Sequence, residues 1–142
     1  MPGGSSVVVD AGPIVAWLNR SDVHHAWARD QFARLRPPLV TCEPVLTEAA
    51  FLLDYARGDP GMAARLVARG VLQVAPVLAE HSEAIAQLMR RYRDVPMSLA
   101  DACLVRLSEI VPDATVFTLD TDFRIYRRRG RAVIPVLMPP GR

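Results

Sequence analysis

The chain is 142 residues long, 51% hydrophobic and 23% charged, the size and composition of one globular domain rather than a disordered tail. Its formal net charge of +2 is too small to dictate a polyanionic partner by itself. No apolar run approaches the roughly 18 residues that a membrane-spanning helix needs.

Residues 1–142 are expected to form a single domain, because no linker is long enough to divide them. Met1 to Ser6 has no basic segment, which predicts no secretory leader. Cys42 and Cys103 are far apart and show no CxxC spacing. They are expected to be reduced thiols, small core residues of a cytoplasmic protein. All 17 basic residues are arginine, and Arg124, Arg127, Arg128, Arg129 and Arg131 cluster within one short stretch.

Strands and helices alternate along the chain. Val7-Val8-Val9 reads as a buried strand ending at Asp10. Ala11-Gly12-Pro13 turns the chain into a short helix through Leu18. Asp22 caps a second helix over 23–35, stopped by Pro37-Pro38. Leu39-Val40-Thr41 is the next strand, and Pro44 suits the first turn of a helix reaching about Ala56. Val45, Ala49, Leu52, Leu53 and Ala56 form its apolar stripe. Helices over 61–69 and 79–93 flank a strand within 71–77. Ser98 caps a helix to about Ile110, and a strand over 115–119 follows. Residues 122–129 read as a short helix and 132–137 as the last strand. This alternation predicts an α/β domain, with a mostly parallel sheet of about five strands and helices on both faces.

Open sheets of this kind place their sites at the carboxyl ends of the strands. Asp10 and Asp120 both follow strands there. Asp101 lies in the first turn of the Ser98-capped helix, and Glu48 lies early in its own helix, expected to be half-buried. Each acid has a purely structural reading. Asp10 and Asp122 are candidate helix caps, Ser98 to Asp101 is a candidate capping box, and Glu48 is a candidate solvated position. Four carboxylates converging without basic partners repel one another, a cost best relieved by a cation. Oxygen ligands without clustered Cys or His indicate Mg²⁺ or Mn²⁺ rather than zinc.

Taken in order, VVVDAGPIVAWLNRSD, VLTEAAFLL, PMSLADACLV and VFTLDTDF resemble the four acidic motifs of PIN-domain ribonucleases, and most closely the VapC-type toxins of toxin–antitoxin pairs. The resemblance implies a PIN-like three-layer fold and assigns the acidic positions to Asp10, Glu48, Asp101 and Asp120, as catalytic residues and metal ligands. Thr118 and Asp122 match flanking positions that assist the metal site. Ala11 stands where the family often has Thr or Ser. Asp120 and Asp122 alternate in an extended chain, so only one of them points directly at the site. The implied activity is Mg²⁺- or Mn²⁺-dependent endoribonuclease cleavage of RNA. The implied partners are an RNA substrate, a second copy in a homodimer, and a small antitoxin protein whose arginine replaces the metal's charge. No membrane partner is implied.

No histidine is required as general base, so His24, His25 and His81 read as surface or packing residues. The arginine run Arg124 to Arg131 has two readings, a solvated helix end or a track for RNA phosphates. The helices over 23–35 and 45–56 offer Trp27, Phe32, Phe51 and Tyr55 as a docking surface. Three alternatives compete with the toxin reading. A phosphotransferase of the haloacid-dehalogenase type needs an Asp where Gly12 stands and a lysine that the chain lacks. A non-catalytic PIN-like module is expected to have lost acids. An RNA-processing nuclease without an antitoxin shares the chemistry and differs in gene neighbourhood.

Overall fold

The computed structural model describes residues 6–141. The leader reading at Met1 to Ser6 falls, except for Ser6, on residues outside this span.

Three-residue β-branched or apolar runs form the strands of the sheet. These are β1 (Val7–Val9), β2 (Leu39–Thr41), β3 (Leu72–Val74) and β4 (Thr115–Phe117), with β7 (Val136–Leu137) at one edge. All pairings are parallel, in the order β3-β2-β1-β4-β7. The chain leaves β1 towards β2 and β3, then returns to place β4 on β1's other side. A topological switch point therefore lies between β1 and β4, where the crevices of open α/β sheets form.

The helices are α1 (Ala11–Leu18), α2 (His25–Arg34), α3 (Glu43–Tyr55), α4 (Met62–Ala68), α5 (Val77–Arg91) and α6 (Leu99–Ile110). α1 packs against α2 and α3, and α5 against α6. Val8, Val9, Val116 and Phe117 are wholly buried, so the two central strands are covered on both faces. Trp17, Phe32, Phe117 and Trp27 form a continuous ring cluster under α1 and α2, with centroids 4.2 to 5.5 Å apart.

Two local expectations are overturned. Residues 122–129 do not form a helix. Thr121–Arg124 is one 3₁₀ turn, and the chain then enters β5 (Arg127–Arg128), which pairs antiparallel with β6 (Ala132–Val133). The cause is anchoring from within the core. Phe123 and Tyr126 are wholly buried, the Tyr126 hydroxyl bonds to Pro96 O at 2.7 Å, and the Arg127 N–H donates to Tyr92 Oη at 2.9 Å. Arg129 (φ 52°) and Gly130 (φ 85°) then reverse the chain in left-handed conformations. The expected single strand over 132–137 is accordingly split between this hairpin and the main sheet.

The second helix starts at His25, two residues later than expected. The Asp22 carboxylate accepts from the His24 N–H instead of capping the helix proper.

Candidate metal centre

β1 and β4 lie in register, with Val9 opposite Phe117, so the residues that follow them emerge side by side. Asp10 is buried at the N-cap of α1. One of its carboxylate oxygens accepts from the Ala11 N–H at 2.7 Å, and the other accepts from the Thr118 hydroxyl at 2.7 Å. The Thr118 oxygen accepts in turn from the Asp120 N–H at 2.9 Å, and Asp120 Oδ1 accepts from the Asp122 N–H at 2.9 Å. A single directed series of hydrogen bonds thus fixes the exit of β4 against Asp10. Gly12 permits this approach: a Cβ there would meet the Leu119 side chain at 3.3 Å.

Asp101 enters from the first turn of α6. Ser98 and Asp101 form a reciprocal capping box, with the Ser98 N–H on Asp101 Oδ2 at 3.1 Å and the Asp101 N–H on Ser98 Oγ at 3.0 Å. The cap that fixes the start of α6 thus also orients the Asp101 carboxylate. Tyr126 Oη lies 3.3 Å from the same Asp101 oxygen. Tyr126 thus braces Asp101, a contact for which the sequence offers only the spacing of Tyr126 from Phe123. Glu48 comes from α3 and is exposed rather than half-buried.

Asp10, Glu48, Asp101 and Asp120 line one cavity of about 230 Å³, together with Gly12, Leu52 and Leu119. Asp122 does not line it; its backbone holds Asp120. The ion pairs seen among the described residues, Arg29–Asp30, Arg65–Asp59 and Arg106–Glu109, lie elsewhere. Burial pushes the Asp10 carboxyl from 3.8 up to about 7. The Thr118 and Ala11 hydrogen bonds oppose this, and the charges of Asp101 and Glu48 reinforce it. Glu48 is also raised, by partial dehydration and then by the charges of Asp101 and Asp120. Asp101 is raised by burial against the pull of Ser98, with Asp120 adding repulsion. Asp122 is raised by burial and by Asp120.

Among the described residues, no three His, Cys, Asp or Glu side chains form a ready-made metal cage. The donor set nevertheless fits a hard divalent ion. Every donor is a carboxylate oxygen, and Mg²⁺ keeps several waters and takes only one or two carboxylates directly. The raised carboxyls mark a place where negative charge lacks compensation, which a cation would restore.

The other sequence candidates lie outside this cavity. Arg127 spends its guanidinium on the carbonyls of Arg124, Ile125 and Tyr126 at 2.7 to 3.1 Å. Arg129 binds Glu109 through its N–H at 2.6 Å and through its guanidinium on the Glu109 carbonyl at 3.1 Å. That anchor is about 12 Å along α6 from Asp101. Arg124 and Arg131 are exposed, and Arg128 is half-buried on β5. His25 Nδ1 lies 2.9 Å from Ala16 O, and His81 faces Arg106; neither lines the acidic cavity. Of the expected docking aromatics, Phe32 is buried and Trp27 packs on Phe117, whereas Phe51 and Tyr55 are exposed on α3.

The PIN domain family model matches residues 7–129. The chain belongs to the PIN domain family. This PIN domain superposes on the crystal structure of Mycobacterium tuberculosis VapC20, described as a sarcin-ricin loop cleaving toxin, with a TM-score of 0.74 and 24% sequence identity. The match covers 82% of this chain and 91% of that one, and at this identity it establishes the shared fold. No curated protein is significantly similar to the chain in sequence. No helix of the described residues is long and apolar enough to cross a membrane.

Proposed function

We propose that residues 1–142 are one cytoplasmic nuclease domain, a Mg²⁺- or Mn²⁺-dependent endoribonuclease acting as the toxin of a toxin–antitoxin pair. The observation that carries this reading is the convergence of Asp10, Glu48, Asp101 and Asp120 on one small cavity at the β1–β4 switch point. Membership of the PIN family and likeness to a toxin that cleaves RNA support it.

The four acids would hold the divalent ion. When bound, such an ion neutralises the phosphodiester, acidifies the attacking water and stabilises the leaving oxygen. The chain's own part is placement. Thr118 and the Ala11 N–H fix the Asp10 carboxylate; Ser98 and Tyr126 fix that of Asp101; Asp122 fixes that of Asp120. Leu52 and Leu119 bound the cavity on its apolar side. Hydrolysis in line would leave a 5′-phosphate and a 3′-hydroxyl. Within the arginine run, Arg124, Arg128 and Arg131 are the candidates for phosphates flanking the cut, since Arg127 and Arg129 hold internal carbonyls.

The same acids suit an antitoxin arginine, a charge-assisted partner for a carboxylate cluster. Exposed Phe51 and Tyr55 on α3 provide apolar surface beside it for the antitoxin or for a second copy in a homodimer.

The test is cleavage of defined RNAs, a sarcin-ricin loop oligonucleotide among them, followed by sequencing of the new ends. Cleavage should require Mg²⁺ or Mn²⁺, stop in EDTA and nearly vanish in Asp10→Asn and Asp101→Asn. Equal cleavage by wild type and both variants would refute the assignment. Binding of RNA without cleavage in any metal would favour a non-catalytic PIN-like module.

A further inference from the structure

The end of α5 carries three exposed arginines, Arg90, Arg91 and Arg93, that the acidic cavity does not use. The fold sets them against the β5–β6 hairpin. Arg91 Nη2 donates to Gly130 O at 2.6 Å, and the Arg127 N–H donates to Tyr92 Oη at 2.9 Å. Eight of the 17 arginines thus lie within residues 90–93 and 124–131, two segments that contain no acidic residue. Much of this charge is not neutralised. Arg90, Arg91, Arg93, Arg128 and Arg131 form no ion pair among the described residues. Arg91 and Arg93 each spend one nitrogen on a carbonyl, Gly130 O and Arg90 O, and keep their other donors. Arg128 Nε is buried and has no hydrogen-bond partner among the described residues; a buried N–H left so is costly until a further acceptor reaches it. The dipole of α5 favours Arg90 and Arg91 at the helix end, but it gives no reason for an unpartnered Arg128 on β5.

We infer that the end of α5 and the β5–β6 hairpin form one phosphate-binding surface, which grips the backbone of substrate RNA away from the cut through Arg90, Arg91, Arg93, Arg128 and Arg131. The inference rests on the nuclease reading in taking RNA as the polyanion. Guanidinium forks match phosphate oxygens in shape as well as charge. The surface adjoins the acidic cavity through two tyrosines. The rings of Tyr92 and Tyr126 are 5.1 Å apart, and Tyr126 Oη lies 3.3 Å from Asp101 Oδ2. A strand with its scissile phosphate at the acids therefore has neighbouring phosphates within reach of these arginines. Contacts of this kind fix position and supply salt-dependent affinity without reading sequence. The carboxylates, by contrast, repel phosphate until a cation is bound, so in the absence of metal the arginine surface supplies the affinity for RNA.

The experiment titrates a fluorescein-labelled oligouridylate with the full chain in EDTA at a series of salt concentrations and reads anisotropy. The double variant Arg90→Gln with Arg93→Gln keeps much of both aliphatic stems and removes two exposed charges. It should bind more weakly and flatten the slope of log affinity against log salt by about 1.4, at roughly 0.7 per phosphate contact on a single strand. Arg128→Gln should flatten it by about 0.7. Arg69→Gln, at the exposed C-cap of α4, should leave the slope as it is. A slope unchanged in the double variant, or flattened as much by Arg69→Gln, would overturn the proposal. Phosphatidylglycerol vesicles that bind wild type but not the double variant, with the RNA slope unchanged, would assign the surface to a membrane and overturn it as well. Cleavage is not read here. Loss of the slope in a protein that still cuts RNA removes this surface alone, and a retained slope effect in a protein that never cuts removes the nuclease reading alone.

Discussion

Replacing Asp10 by Asn should stabilise the metal-free protein, and the gain should grow with pH. The folded carboxyl titrates near 7, against 3.8 for the free side chain. Below about pH 4 both folded and unfolded chains carry the proton, so the charge costs nothing. Between about 4 and 7 the unfolded chain ionises while the folded one holds its proton, and wild-type stability falls as pH rises. Above 7 the penalty levels off. Roughly three pKa units at about 1.36 kcal/mol each put its full size near 4 kcal/mol, as an upper bound. Asn is isosteric and never ionises, and its amide can still face Thr118 and the Ala11 N–H. Urea unfolding of both proteins in EDTA from pH 4 to pH 8 measures the difference. The variant should match wild type near pH 4 and lead it by about 2 to 4 kcal/mol at pH 8. A difference that does not change with pH would show that buried charge is not what limits this site. Saturating Mg²⁺ at pH 8 should then reverse the order.

Metal should raise wild-type stability by about 2.7 kcal/mol at 100 times the dissociation constant; Asp101→Asn should gain less, and equal gains in calorimetry would remove the acids as ligands. Ser98→Ala removes the reciprocal cap and should cost about 1 kcal/mol in denaturant unfolding, with a loss of cleavage larger than that destabilisation explains. Tyr126→Phe leaves the Pro96 carbonyl without its hydroxyl partner and should cost about 1 to 2 kcal/mol. In RNA binding, Arg131→Ala should flatten the slope of log affinity against log salt by about 0.7 if that side chain meets a phosphate. Arg127→Ala should instead lower stability by about 1 kcal/mol through its lost carbonyl contacts; the reverse pattern would exchange their roles.

The elements that position the acids are legible in sequence because their signals are local. Val7 to Asp10 announces a strand and its exit, Pro44 and Ser98 mark helix starts, and the spacing of Val45, Ala49 and Leu53 shows which face of α3 turns inward. The hairpin at 127–133 was not legible, because nothing near it in sequence requires an extended chain. Its conformation is imposed by Tyr92, Pro96 and Glu109, which lie elsewhere along the chain. For the same reason the arginine run read as one object, although the structure commits Arg127 and Arg129 to internal carbonyl and carboxylate partners. Asp120 and Asp122 could not be ranked from their alternation alone. The 3₁₀ turn at Thr121–Arg124 separates them, turning one towards the cavity and leaving the other to brace it.

The adjacency of β1 and β4 also sets an order of events during synthesis. Asp10 is made more than a hundred residues before its hydroxyl partner Thr118 and the neighbouring acid Asp120. β1 can pair with β2 early, whereas the edge that β4 will occupy stays open until residues 115–117 clear the ribosome. A nascent chain displaying α1, α3 and even α6 therefore carries three of the acids on a half-built floor. The centre closes only once Thr118 and Asp120 have been made, so a chain abandoned before them is released with the acidic cavity unfinished.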